Sequence, residues 1–149
     1  MASQTFASHS EDETAAIGRD LALSLGPGSM ILLSGDLGAG KTAFVRGLAE
    51  GLGALPEDVS SPTFTLMQEY RGGRVPLVHV DLYRLDDPRE IDDLGLEEIG
   101  LTSVLAIEWA EKLPRSLPGA PGSVEVRIAH DVENTRRVTI APSSLVLSS

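Results

Sequence analysis

The stretch GDLGAGKT, from Gly35 to Thr42, carries three glycines followed by a lysine and a threonine. Gly35, Gly40, Lys41 and Thr42 match the pattern G-x-x-x-x-G-K-[ST], which is typical of a phosphate-binding loop. The glycines let the backbone wrap closely around phosphate oxygens, the lysine reaches the terminal phosphates, and the threonine hydroxyl ligates magnesium. The stretch therefore predicts a nucleoside triphosphate site that uses Mg²⁺.

The residues on either side of this stretch predict the strand-to-helix context that a phosphate loop requires. Before it, MILLS (Met30–Ser34) is a short apolar run that predicts a buried strand. After it, the segment from Lys41 to Gly53 repeats apolar residues at helical spacing, which predicts a helix.

Three further segments in the first half of the chain have recognisable patterns. Ser10–Leu25 predicts an amphipathic helix, because acidic and hydroxyl residues precede apolar residues at helical spacing. Thr63–Tyr70 alternates as a strand does, and Val75–Tyr83 is a second apolar strand. The turn residues RGGR between them predict a β-hairpin.

The second half of the chain continues to alternate helical and extended patterns. Asp86–Gly100 is acidic and broken, which predicts short helices or a loop with a solvated face. Ser103–Trp109 predicts another buried strand, followed by a short helical piece up to Pro114. Ser123–Ala129 and Arg136–Ala141 surround the turn residues HDVENT, which predicts a C-terminal β-hairpin.

These elements predict an α/β fold: a P-loop NTPase-like domain whose mixed sheet is flanked by helices and ends in the C-terminal hairpin. The chain has 149 residues, which is the size of one domain, so we expect a single domain over residues 1–149.

The composition of the chain indicates which kinds of partner and which cellular location to expect. The formal net charge of −10 repels phosphate backbones, so we expect no extended nucleic-acid binding by this chain alone. No segment approaches the roughly 18 consecutive apolar residues of a membrane helix. The N-terminus lacks the basic start and apolar core of a secretory signal, and the chain has 0 cysteines. We therefore expect a cytoplasmic protein that does not contact a membrane.

Two carboxylates are candidates for the chemistry of the site. Asp81 ends the apolar run LVHVD, and Glu108 ends the run VLAIE. A phosphate loop needs an acidic partner at the end of a neighbouring strand to hold Mg²⁺ from the sheet side. One of the two acids is expected near the metal and the other to orient or deprotonate the attacking water, and the pattern leaves open which does which.

The nucleotide is expected to be ATP rather than GTP. A guanine-reading Asn/Thr-Lys-x-Asp motif would need a fitting lysine, and Lys112 in EKLP does not fit it. Asp81 does not begin an Asp-x-x-Gly switch, because Arg84 holds the fourth position.

Four blocks in this order and spacing resemble the bacterial TsaE family: GDLGAGKT, SSPTFTLMQEY, HVDLYR and IEWAEKLP. That family is the ATPase component of the machinery that makes threonylcarbamoyladenosine in tRNA. The phosphate loop alone is generic, whereas the trio SPTF, HxDxYR and IEW is specific. The resemblance extends from the ETAAIGRDLA helix to the TRRVTI strand.

The resemblance implies roles for individual residues. Glu108 together with the loop threonine would hold Mg²⁺, and Asp81 would be needed for hydrolysis. Thr63 would belong to a switch that senses the nucleotide. Thr14 and Arg136 would lie towards the base and sugar. The ATP phosphates would be bound by Asp36, Leu37, Gly38, Ala39, Gly40, Lys41 and Thr42.

The resemblance also implies partners. Family members act on a complex of two related kinase-like-fold proteins, which are the TsaD- and TsaB-like components of the threonylcarbamoyl transferase. ATP hydrolysis would drive turnover of that complex, and tRNA would be met only through the partners. Two other functions remain open at this level: a small-molecule kinase, and a non-enzymatic switch whose bound nucleotide controls docking.

Three other side chains have simpler expected roles. His79 alternates with apolar neighbours on its strand, which favours a structural, hydrogen-bonded histidine. Trp109 is expected to pack in the core, with stacking on a nucleotide or a partner as the alternative. Arg84 either stabilises charge on the transferred phosphoryl group or pairs with the acidic DDPRE stretch.

Overall fold

The computed structural model describes residues 3–35, 40–55, 59–60, 67–83, 85, 87–109 and 123–142. The helices in these ranges are α1 (Glu11–Ala22), α2 (Lys41–Gly51), α3 (Pro88–Asp92) and α4 (Leu96–Thr102). The strands are β1 (Gln4–Ser8), β2 (Met30–Gly35), β3 (Val59–Ser60), β4 (Met67–Tyr70), β5 (Leu77–Asp81), β6 (Val104–Glu108), β7 (Val124–His130) and β8 (Arg136–Pro142). The predicted α/β class is confirmed.

The described strands form one mixed sheet in the order β1-β8-β7-β2-β6-β5-β4-β3. Strand β2 pairs in parallel with both β6 and β7, and β6 pairs in parallel with β5. The remaining pairs are antiparallel, and they include the predicted β4–β5 and β7–β8 hairpins. Both hairpins are therefore confirmed, and the central parallel strands bring the ends of β2, β5 and β6 to one edge of the sheet.

Buried side chains cover both faces of the sheet. On one face the apolar residues of α1 and α2 pack against alternate residues of the central strands, which include Ile31, Leu33, Leu77 and Ala106. The alternation of a strand sends the next residues to the opposite face, where α3 and α4 pack against a second apolar cluster. The acidic segment before β6 thus forms short helices, and each of them buries a residue: Ile91 in α3 and Leu96 in α4.

Helices α1 and α2 approach each other closely, because glycines lie where they meet. A Cβ atom on Gly47 would overlap the carbonyl oxygen of Ala15, and a Cβ on Gly18 would lie 2.5 Å from the carbonyl oxygen of Phe44. Helix α2 begins at the predicted phosphate loop, so this contact ties α1 to the helix that carries Lys41.

The N-terminal region differs from its prediction in two ways. Helix α1 starts after Ser10, whose hydroxyl caps it by accepting the N–H of Glu13 at 3.0 Å, and it ends at Ala22 rather than Leu25. The last three predicted residues form tighter i to i−3 turns, in which Leu25 N–H donates to the Ala22 carbonyl. Strand β1 was not predicted, because its residues are mostly exposed and it depends on pairing with the distant strand β8.

Other predicted elements fit with small shifts or lie beyond the described ranges. Strand β5 begins at Leu77, after Pro76, and β6 ends at Glu108. The helical piece up to Pro114 and the first part of the strand predicted from Thr63 lie outside the described residues. No helix in the described ranges is long and apolar enough to cross a membrane.

Candidate nucleotide site

The predicted phosphate loop is described at its two ends. Gly35 ends β2 with φ +147°, and a Cβ atom there would overlap the carbonyl oxygen of Ile128 on the paired strand β7. Gly40 caps α2 with φ +112°, a conformation that L side chains rarely adopt. Both positions therefore require glycine for backbone reasons. Residues 36–39, which include the predicted Asp36, Leu37, Gly38 and Ala39, lie outside the described residues.

Lys41 is the first residue of α2, and its side chain turns towards the sheet. Its Nζ lies 3.2 Å from Glu108 Oε1 and donates to the Gly35 carbonyl at 3.4 Å. Thr42 follows on the exposed side of the same turn. The lysine thus connects the beginning of α2 to the ends of β2 and β6.

Asp81 and Glu108 are the last residues of β5 and β6, and they are direct neighbours in the parallel register. Leu77 and Ala106, which precede them by an even number of residues, belong to the core under α1 and α2. Strand alternation therefore sends both carboxylates to that same face. Asp81 Oδ1 accepts the N–H of Tyr83 at 2.9 Å, which fixes its orientation in a local turn.

His79 completes the described cluster. Its Nε2 lies 2.7 Å from Glu108 Oε2, and the two side chains are only 14% and 12% exposed. The prediction of a hydrogen-bonded histidine is confirmed, but its partner is a candidate site residue. The signal in the sequence was its spacing, since His79 stands two residues before Asp81 and so shares its face of the strand.

Glu108 is held as a carboxylate by these neighbours. Partial burial is the largest single effect and raises its pKa. The hydrogen bonds and charges of His79 and Lys41 together outweigh burial, so the pKa of Glu108 lies below its ordinary value. Its carboxylate is therefore charged and accepts hydrogen bonds at neutral pH.

Thr14 lies behind the start of α2. The residue is 2% exposed, and its hydroxyl lies 2.7 Å from Ser8 Oγ and donates to the Ser10 carbonyl at 3.2 Å. Its methyl carbon Cγ2 would lie 3.7 Å from a Cβ atom on Gly40. Thr14 is therefore placed to support the end of the loop.

Arg136 begins β8 and is in register with Ser8 of β1. Its Nη1 donates to the Thr135 carbonyl at 3.5 Å. The structure thus brings Lys41, Asp81 and Glu108 together, while no contact of Arg136 with these three residues is seen in the described part of the chain. Thr63 lies outside the described residues.

Trp109 was expected in the core, and that expectation is wrong. The residue is 42% exposed and has φ +64°, which ends β6 directly after Glu108. Its ring contacts the exposed ring of Tyr83, with centroids 5.0 Å apart and planes tilted by 45°. The left-handed backbone turns the indole away from the direction that a continuing strand would give it.

Comparisons with known proteins agree on one family. A family model described as "Threonylcarbamoyl adenosine biosynthesis protein TsaE" matches residues 8–138. A protein of Nostoc sp. named "tRNA threonylcarbamoyladenosine biosynthesis protein TsaE" is 42% identical over 145 residues, which cover 93% of this chain and 85% of the relative. A protein of the same name from Bacillus subtilis is 44% identical over 123 residues, covering 82% of this chain and 76% of the relative.

A solved structure has a similar fold. The crystal structure of Bacillus subtilis YdiB superposes with a TM-score of 0.72 and 31% identity, over 99% of this chain and 90% of that one. The family model and the curated relatives confirm the resemblance noted in the sequence. The chain belongs to the TsaE family of threonylcarbamoyl adenosine biosynthesis proteins.

Proposed function

We propose that this chain is the Mg²⁺-dependent ATPase of a bacterial machinery that makes N6-threonylcarbamoyladenosine in tRNA. ATP hydrolysis couples to turnover of a partner transferase complex with TsaD- and TsaB-like components. The observation that carries the proposal is the contact of Lys41 with Glu108, beside Asp81, at the beginning of α2. Relatives named for tRNA threonylcarbamoyladenosine biosynthesis support the pathway.

The described residues suit a nucleotide phosphate group. Helix α2 has 11 residues, and it directs the unpaired N–H groups and positive dipole end of its first turn towards the predicted loop. Lys41 supplies a full positive charge at the same place. An anion at this helix end would therefore be stabilised by backbone and side chain together.

The same edge of the sheet suits Mg²⁺. The metal prefers oxygen ligands, and Glu108, Asp81 and Thr42 offer two carboxylates and a hydroxyl at the ends of adjoining elements. Within the described ranges no group of three or more His, Cys, Asp or Glu is arranged to hold a metal. Water or phosphate oxygens would supply the remaining ligands of the metal. Bound Mg²⁺ would neutralise charge on the phosphate oxygens.

Each residue has a proposed task. Glu108 and Thr42 hold the metal, Lys41 binds the terminal phosphates, and Asp81 takes part either at the metal or in orienting the attacking water. Thr63 senses the nucleotide, and Thr14 and Arg136 lie towards its base and sugar. The loop residues Asp36, Leu37, Gly38, Ala39 and Gly40 surround the phosphates.

The chain as a whole is proposed to work as a single domain in the cytoplasm, without contact to a membrane. Its net charge of −10 favours meeting tRNA only through its partners.

Two described arginines in the middle of the chain favour an ATPase over a small-molecule kinase, which would need arginines in a mobile lid. Arg74 Nη2 donates to the Ala22 carbonyl at 2.6 Å and so caps the end of α1. Arg71 pairs with Glu69 on the neighbouring strand β4. Each of these arginines is thus engaged in local structure.

The test is phosphate release from ATP with and without a reconstituted partner transferase complex. We expect release that the partner stimulates, and we expect Lys41→Ala and Glu108→Ala to abolish it. The matched control is the exposed Arg19–Glu50 pair, which joins α1 to α2 at 3.4 Å. Arg19→Ala and Glu50→Ala should keep the wild-type rate.

Other outcomes would identify the alternatives. Transfer of phosphate to an added metabolite would indicate a kinase, and absence of turnover under both conditions would indicate a nucleotide switch. Wild-type activity in either site variant would refute the site assignment. Reconstituted tRNA modification over several cycles tests the pathway, because omitting this protein must then slow repeated turnover.

A further inference from the structure

Glu108 has a different partner on each of its carboxylate oxygens. Oε1 faces Lys41 Nζ at 3.2 Å, and Oε2 faces His79 Nε2 at 2.7 Å. The terminal torsion of a glutamate is broad, so a carboxylate with one partner can turn about it. Two partners on opposite oxygens fix both the position and the plane of the group.

The imidazole must be the donor in its contact with Glu108. At neutral pH a glutamate side chain of ordinary pKa is ionised, so the Glu108 carboxylate can only accept hydrogen bonds. Nε2 of His79 therefore carries the proton, and the bond is an N–H to carboxylate hydrogen bond of the stronger, charge-assisted kind. Both side chains are largely shielded from water, which strengthens the bond further.

The place of His79 in the sheet makes this contact rigid. His79 is in register with Ala106, two residues before Glu108 on the neighbouring strand. Leu77, two residues before His79 on the same face, is fully buried in the core. The imidazole thus stands between the packed core and the candidate site, and its backbone is fixed by strand pairing on both sides.

We propose that His79 is a positioning residue: it occupies Oε2 of Glu108 so that Oε1 is presented to Lys41 and to a metal-bound nucleotide. This inference rests on the proposed function, in which Glu108 holds Mg²⁺. Hydrogen bonds to a metal-ligating group orient it, and their loss typically lowers metal affinity about 10- to 100-fold. His79 acts through Glu108 and touches neither the metal nor the nucleotide.

The experiment measures binding of a fluorescent ADP analogue while Mg²⁺ is titrated, so it does not depend on turnover. His79→Leu removes the donor, and His79→Gln keeps an N–H group within similar reach. We expect His79→Leu to weaken the apparent Mg²⁺ affinity about 10- to 100-fold. Affinity for the analogue without Mg²⁺ should stay unchanged, and His79→Gln should restore most of the loss.

A double-mutant cycle with Glu108→Gln separates positioning from general damage. If His79 acts through Glu108, His79→Leu has no further effect on Mg²⁺ affinity in the Glu108→Gln background. If His79→Leu lowers the Mg²⁺ affinity by the same factor in that background, the inference is overturned. It is also overturned if His79→Gln and His79→Leu lower the apparent Mg²⁺ affinity of the wild-type protein equally. If the affinity of the wild-type protein for the ADP analogue does not change as Mg²⁺ is added, the proposed metal role is overturned, and this inference with it.

Discussion

Opposing effects act on the pKa of Glu108. Partial burial disfavours its charge, while His79 and Lys41 favour it and prevail. The folded protein therefore holds this carboxylate more tightly in its ionised form than the unfolded chain does. That difference links the charge of one side chain to the stability of the fold.

The sign of this linkage gives a prediction for Glu108→Gln. Because the pKa of Glu108 is lowered in the folded state, its stabilisation is fully present above the ordinary glutamate pKa of 4.5 that holds in the unfolded chain. It is lost as the pH falls through the folded-state value. Wild-type unfolding free energy should therefore fall more steeply below about pH 4 than that of the variant.

Urea unfolding between neutral and acidic pH, without nucleotide or Mg²⁺, measures this difference. Glu50→Gln removes an exposed glutamate from α2 and provides the comparison for losing one carboxyl group elsewhere. Curves for wild type and Glu108→Gln that run parallel throughout the acidic range would contradict the lowered pKa.

The sequence predicted those candidate site residues that a local sequence pattern marks directly. Lys41, Asp81 and Glu108 were predicted, because a loop motif and the ends of apolar runs mark them. The contact of His79 with Glu108 was not predicted, because it depends on how β5 and β6 pair, and the pattern of either segment alone does not indicate that pairing. The exposure of Trp109 depends on one left-handed residue, which single-residue propensities do not indicate.

At the scale of elements, the contact between α1 and α2 decides how the candidate site is supported. Gly18, Gly47 and Gly51 have no side chains, so the two helix backbones come closer than ordinary packing allows. Thr14 lies on α1 beside Gly40, which caps α2. The helix pair therefore supports the end of the predicted loop.

Gly47→Ala tests this contact. The added methyl group would overlap the backbone of Ala15, which cannot move without shifting α1. Alanine favours a helix over glycine by about 1 kcal/mol, so a net loss shows that the clash dominates. We expect destabilisation of about 1–3 kcal/mol in denaturant unfolding.

Gly26→Ala is the matched control, because nothing lies within 4 Å of its added Cβ. It should change the unfolding free energy by less than about 0.5 kcal/mol. A Gly47→Ala variant as stable as Gly26→Ala would mean that the two helices separate easily.

Elements whose residues repeat regularly were predicted well, and those that depend on distant pairing were not. Strand β2, helix α2 and both hairpins follow from apolar periodicity and turn residues. Strand β1 has one large apolar side chain, Phe6, and this is partly exposed. Only its pairing with β8, more than a hundred residues away in the chain, makes it a strand.

At the scale of the whole molecule, the strand order predicts a gradient of local stability. Strand β2 is paired on both sides and buried on both faces, whereas β1 lies at one end of the sheet. Amides of Ile31–Leu33 should exchange only through global unfolding, and those of β1 through local opening. Hydrogen exchange at low denaturant measures this, and slower exchange in β1 than in β2 would contradict the strand order.

The last prediction at this scale concerns the affinity of the isolated chain for tRNA, which depends on its net charge. A chain with 12 basic and 22 acidic residues has a net charge of −10, so bringing it against a tRNA backbone is electrostatically unfavourable. Anisotropy of labelled tRNA at about 0.15 M salt should therefore give a dissociation constant weaker than about 100 μM for the isolated chain.

The same measurement with the partner complex separates indirect from direct contact with tRNA. If tRNA is met only through the partners, adding this chain to a preformed partner–tRNA complex should increase the anisotropy, because a larger assembly tumbles more slowly. Raising the salt should leave the weak binding of the isolated chain weak, since no counterion release drives it. Tight, salt-sensitive binding of tRNA by this chain alone would show that a local basic surface overrides the net charge, and the proposed indirect role would then fail.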